Sequence, residues 1–229
     1  MFKLLRHLFL TSVAVFNSAY ASDVPFRAGI GMVELSEPVS QKLMKAAIFY
    51  PTVDAASMTR LGPLQIAATR DAAVSSGRFP LVLLSHGNGG SMFSQHDMAA
   101  SLASHGFVVA AVEHPGDNFK DESGQGSDRV FIGRQQQLTA LLDYLLGRSA
   151  FAPAIDPGKI GVMGFSAGAT TALQMLGAKP SFDLLKPYCD RAPKNVLGAA
   201  QGQVRLSTPA LTGQTDKRVR AAFVMSPVG

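Results

Sequence analysis

Residues 159–176 read KIGVMGFSAGATTALQML, and within them Ser166 stands between two glycines. Gly164-Phe165-Ser166-Ala167-Gly168 has the spacing G-x-S-x-G, which fits a sharp strand-to-helix turn that lifts a serine hydroxyl above the end of a sheet. Side chains at Gly164 and Gly168 would collide with neighbouring strands in such a turn. Ala169, Thr170 and Ala172 are small enough to let the next helix approach the sheet closely. The apolar run before Ser166 and the small-residue run after it supply the strand and the helix that the turn requires. The plain alternative is a glycine-rich turn with an incidental serine, and the flanking elements weigh against it.

Attack by a serine hydroxyl on an acyl carbonyl also needs hydrogen-bond donors where negative charge develops on oxygen. The stretch LLSHGNGGS ends an earlier apolar run in His86-Gly87-Asn88-Gly89-Gly90. Backbone N–H groups just past that strand, with the one just past the serine, can supply such donors, which singles out Asn88 and Ala167. A phosphate-binding glycine loop would end in Lys-Ser/Thr or follow G-x-G-x-x-G, and neither is present. His86 reads as a structural hydrogen-bonder rather than a base. His86 and His114, each at the end of a strand, are candidates for the pocket wall.

The elements that must position these residues alternate along the chain. Ala28–Leu35 and Leu43–Tyr50 read as an antiparallel pair, with Glu37-Pro38 between them. Residues 51–77 are loop-rich, with room for short strand pieces. FPLVLLSHG and FVVAAVEHPG are continuous apolar runs, as expected of strands buried on both faces. Between them SQHDMAASLASHG reads as a helix, capped by Ser94 and stopped by Gly106. Residues 116–133 are polar and glycine-rich and read as a surface loop. Arg134–Arg148 is the clearest helix, with Leu138, Leu141, Leu142, Leu145 and Leu146 on one face. Residues 178–217 lose the alternation and read as an excursion from the sheet, a lid candidate that would set substrate choice. RVRAAFVMSP restores a strand. Strands alternating with helices give an α/β class, a mostly parallel sheet with helices on both faces.

Bulk composition sets wider bounds. The chain has 229 residues, 47% hydrophobic and 16% charged, which suits one globular domain with a real core. The formal charge is +5, and Lys3 and Arg6 supply two of the positives. No basic run or aromatic–basic interleaving exists, so nucleic acid is discounted as a partner. The start, MFKLLRHLFLTSVAVFNSAYAS, has a basic beginning, a short apolar stretch and Ala19-Tyr20-Ala21. It reads as a signal peptide over residues 1–21, leaving a domain over 22–229 that is exported, periplasmic or secreted. An uncleaved anchor is the alternative, and the apolar stretch is short for a span. Cys189 is the one cysteine, so no internal disulfide forms, and it reads as incidental or buried.

At FPLVLLSHGNGG, LASHGFVVAAVEHPGDN, the Arg134 helix, KIGVMGFSAG and RVRAAFVMSP, the sequence resembles the α/β-hydrolase superfamily. More narrowly, it resembles the branch with dienelactone hydrolases and platelet-activating-factor acetylhydrolases. These pieces lie in the family's order across roughly residues 28–229. The resemblance implies a three-layer α/β-hydrolase sandwich and hydrolysis of carboxylic esters or related acyl compounds, on a small-molecule or lipid ester. It implies Ser166 as nucleophile, Asn88 and Ala167 as oxyanion donors, and no metal or organic cofactor. No stable membrane span is expected after signal cleavage.

The family's triad runs Ser, acid, His along the chain. No histidine follows Ser166; the five are His7, His86, His96, His105 and His114. Asp183, Asp190 and Asp216 all precede the last strand, where the family's acid is not found. The expectation is therefore a sequence lacking the family's last strands. His114 shares a rim with Ser166, but the family's strand order places the FPLVLL strand between them. His96 and His105 read as surface or capping residues. Two further readings stay open: a non-catalytic binding protein that keeps the pocket, and acyl transfer to an acceptor other than water.

Overall fold

Leu83 and Leu84 are adjacent in sequence and both fully buried, but they belong to different apolar clusters. Successive side chains of a strand point to opposite faces, so a strand covered on both faces must be apolar without alternation. That is why the apolar runs of this chain are continuous. The computed structural model describes residues 25–191 and 204–227. The signal-peptide segment 1–21 lies outside the described residues, as do the middle of the 178–217 excursion and the Cys189 side chain.

The N-terminal pair forms as read, β1 (Arg27–Ser36) antiparallel to β2 (Leu43–Thr52). A small hairpin follows, β3 (Thr59–Leu61) with β4 (Leu64–Ile66), and then the short β5 (Thr69–Arg70) beside β1. The centre of the sheet is β6 (Phe79–Ser85), β7 (Val108–Glu113), β8 (Ile155–Phe165) and β9 (Val219–Met225). The sheet order is β5-β1-β2-β7-β6-β8-β9, with the last four strands parallel. The chain leaves β6 for β7 on one side and returns to β8 on the other. Such a reversal opens a crevice at the carboxyl ends of the strands, where α/β sheets place their sites. Among the described residues no helix is long and apolar enough to cross a membrane.

Helix α1 (His96–Ser104) covers one face through Ala99, Ala100 and Ala103. On the other face α2 (Asp128–Phe131) leads into α3 (Gly133–Gly147), whose Leu138, Leu141, Leu142 and Leu145 are completely buried. Each such leucine contributes about 2 kcal/mol of burial before conformational entropy is counted. Helix α4 (Ala167–Met175) packs beside α3 on the same face, and α5 (Phe182–Arg191) follows it.

Two local expectations are corrected. Ser94 does not cap α1: its hydroxyl accepts from Ser91 N–H in the preceding turn, and Gln95 is the cap residue. Residues 116–133 are more than a surface loop. They contain α2, and Asp117 and Asp128 within them are fully buried. Asp128 accepts hydrogen bonds from Ser207 and Leu211, so it ties the returning end of the excursion to α2.

Candidate active site

Ser166 follows the last residue of β8 and caps α4, with φ 53° and ψ −119°. That left-handed backbone is costly for any residue but glycine, about 1–3 kcal/mol, and persists only where the surroundings enforce it. The enforcement is visible. A Cβ on Gly164 would lie 2.0 Å from the Gly168 carbonyl oxygen, and one on Gly168 would lie 1.9 Å from the Ser85 carbonyl oxygen. Only glycine at both positions lets the chain turn back this tightly against β6. The Ser166 N–H donates to Met225 O at 2.9 Å, which ties the turn to the end of β9.

Register brings the other pieces alongside. Ser85 pairs with Gly164 and Phe165 with Met225, so β6, β8 and β9 end level with one another. The chain past β6 then runs against the turn: a Cβ on Gly87 would stand 3.5 Å from Ser166 Cβ. Ser166 is half-buried, and Asn88, one residue beyond Gly87, is exposed. Ala167 opens α4, where backbone N–H groups have no partner within the helix and the dipole favours negative charge. Ser166, Ala167 and the Gly87-Asn88 segment therefore share one rim.

Beneath that rim lies a buried polar network that the sequence does not announce. Arg134 Nη1 is 2.7 Å from Asp117 Oδ2, with both side chains 1% exposed. Arg134 Nη2 donates to Ser85 Oγ at 3.1 Å and to the His86 carbonyl. The other Asp117 oxygen accepts from Asn88 Nδ2 at 2.8 Å and from Gly89 N–H at 3.0 Å. One ion pair thus holds the loop after β6 at three points. The signal was present in the helix pattern. Arg134 sits four residues before Leu138, a cation in line with the buried leucine stripe.

His86 and His114 do not line a pocket, because both are fully buried and every ring nitrogen is engaged. The His114 backbone N–H donates to His86 Nε2 at 3.2 Å, so His86 carries its proton on Nδ1 and donates to Gly87 O. Gln137 donates its amide to Glu37 Oε2 and turns its oxygen to His114 Nδ1 at 2.7 Å. His114 therefore holds its proton on Nδ1 and accepts from Ser85 Oγ at Nε2, 2.9 Å away. Burial first, and the Arg134 charge second, push His86 down to about 3 and His114 well below the ordinary imidazole range. Burial also lowers Arg134, to about 10, against the pull of Asp117. His105 is an exposed C-cap of α1, and His96 opens the same helix. Among the described residues no histidine hydrogen-bonds the Ser166 hydroxyl.

A family model described as platelet-activating factor acetylhydrolase, isoform II, matches residues 40–130. A bis(hydroxyethyl) terephthalate hydrolase from Streptomyces coelicolor is 33% identical over 144 residues, covering 63% of this chain and 41% of that protein. A platelet-activating factor acetylhydrolase from Canis lupus familiaris is 28% identical over 148 residues, covering 46% of this chain and 33% of its own. The chain thus spans less than half the length of these curated relatives. Among solved structures, a ferulic acid esterase from Streptomyces cinnamoneus superposes with a TM-score of 0.56 at 22% identity, over 69% of this chain and 56% of that one. The chain is an α/β-hydrolase in fold. Its sequence similarity runs to the platelet-activating-factor acetylhydrolases.

Proposed function

We propose that this protein is a serine hydrolase of carboxylic esters, with Ser166 as nucleophile. The observation that carries the reading is the enforced left-handed conformation of Ser166, with glycine obligatory on both sides. Strain of this kind is retained where a hydroxyl must project from the sheet. Ser166 Oγ attacks the acyl carbonyl, and the oxyanion forms against the Asn88 and Ala167 N–H groups. The alcohol leaves, and water then releases the acyl group from Ser166. The proton of Ser166 passes to a general base and from it to the departing alcohol. The relatives named above as ester hydrolases support the substrate class.

The test is turnover of para-nitrophenyl acetate by the full-length protein and by Ser166→Ala. Hydrolysis lost in the variant supports the reading, and hydrolysis unchanged in it overturns the role of Ser166. A second reading, a binding protein that keeps the site without turnover, is favoured by one observation: no described histidine hydrogen-bonds the Ser166 hydroxyl. A well-folded wild-type protein with no turnover would support that reading.

We also propose that the protein is exported. The basic start, the apolar stretch and Ala19-Tyr20-Ala21 support this, and a mature N-terminus at Ser22, read by mass spectrometry of the expressed protein, tests it. A mature chain that keeps residues 1–21 would contradict it.

A further inference from the structure

The face of α4 that begins at Ser166 continues through Thr170, Leu173 and Gln174, four, seven and eight residues on. Residues at that spacing lie on one side of a helix. These three side chains form one wall of a cavity of about 710 Å³. The facing wall is a stripe of α5, Leu184, Pro187 and Tyr188, again at helical spacing. Phe131 and Phe182 meet edge to face at 5.7 Å and join α5 to α2 at the cavity side. Gln174 braces the same wall, donating to the Phe131 carbonyl at 2.7 Å. Pro227 completes the lining, two residues past Met225, whose carbonyl holds the Ser166 N–H.

The cavity therefore starts one helical turn, about 5.4 Å of axial rise, from the candidate nucleophile and runs away from it along α4. Its walls are mainly apolar, and its volume suits a chain or ring of drug-like size rather than a methyl group. Leu184 remains 68% exposed on its rim, so an apolar ligand entering there would remove further apolar surface from water.

We propose that this groove binds the extended apolar arm of the ester whose carbonyl sits at Ser166, making the preferred substrates esters with a long alkyl or aryl arm rather than acetates of small alcohols. The inference rests on Ser166 being the nucleophile. It assigns α5, from the excursion after α4, the task of choosing the substrate. The groove lining includes neither Ser166 nor the Gly87-Asn88 segment, so its residues touch the arm and not the reacting atoms.

Two substrate series test it. Para-nitrophenyl acetate, butanoate and octanoate lengthen the acyl arm; ethyl, butyl and octyl acetate lengthen the alcohol arm. In one series kcat/KM should rise at least about tenfold from the shortest to the longest member, which identifies the arm that enters the groove. Leu173→Trp and Ala178→Trp fill the groove from within α4 and from just past its end, and the second changes an exposed position. Each should remove most of the long-arm advantage while leaving turnover of the shortest ester within about twofold. Flat profiles in both series, or a long-arm advantage unchanged in both variants, would overturn the proposal. Absence of all ester turnover would overturn the hydrolase reading instead. Calorimetric titration with octanoate then still reads the groove: binding lost in Ala178→Trp supports it, and no binding to wild type overturns it.

Discussion

Arg134 and Asp117 form an ion pair at 2.7 Å that is sealed from solvent directly under the loop bearing Asn88. The pair is a clamp. Arg134 reaches the His86 carbonyl, and Asp117 reaches the Asn88 side chain and the Gly89 N–H. Removing one partner leaves the other buried and unpaired, which costs on the order of 3–5 kcal/mol. Arg134→Met should lose that much in urea unfolding. Asp117→Asn keeps an acceptor for Asn88 but strands the Arg134 charge. It should retain folded protein while kcat for para-nitrophenyl acetate falls about 100-fold with little change in KM, as expected when an oxyanion donor is misplaced.

The turn glycines give a second prediction. Gly168→Ala would put a methyl group 1.9 Å from a backbone oxygen of β6, where no flexible side chain can give way. It should destabilise the protein by about 3 kcal/mol or more, at the upper end of overpacking effects, measured by thermal or urea unfolding. Wild-type stability in that variant would mean that the turn is not as tight as described.

Ser166→Gly should move stability the other way. Glycine adopts φ 53° without the side-chain penalty, offset by its greater freedom when unfolded. A net gain of about 1 kcal/mol is expected, with ester turnover abolished. Stability and activity changing in opposite directions at one residue is the signature of strain kept for chemistry.

Acid sensitivity follows from the buried imidazoles. The folded state holds His86 near 3 and His114 well below its ordinary value, so both stay neutral while the unfolded chain takes up protons below about 6.5. Their contribution is intact above that pH and is lost as pH falls from about 6.5 toward 3. The slope is at most about 1.4 kcal/mol per pH unit for each histidine. His114→Asn, which keeps a donor toward Gln137 but cannot be protonated there, should flatten the profile measured by urea unfolding at a series of pH values.

The strands, the α3 leucine stripe and the Ser166 turn were legible because each follows from local pattern: continuous apolar runs, helical spacing, and glycines at fixed offsets. The Asp117–Arg134 pair was not, because its members lie 17 positions apart and meet only through packing of α3 beneath the β6 loop. Arg134 on the leucine stripe was nonetheless a clue, since a cation there must find a buried partner. His114 illustrates the opposite case. Its place at a strand end correctly put it on the carboxyl rim, but side-chain direction decided its role, and Ser85 and Gln137 draw its ring into the interior. The Ser94 cap failed because a turn of residues 91–94 used its hydroxyl first.

Covalent labelling of Ser166 is the most direct test of the account. The full-length folded protein should react with a fluorophosphonate probe to give a single mass addition, and peptide mapping should place it on the fragment bearing Ser166, with no addition to Ser166→Ala. A folded protein that takes no label, or takes it equally well in Ser166→Ala, would contradict the claim that this strained serine is the nucleophile.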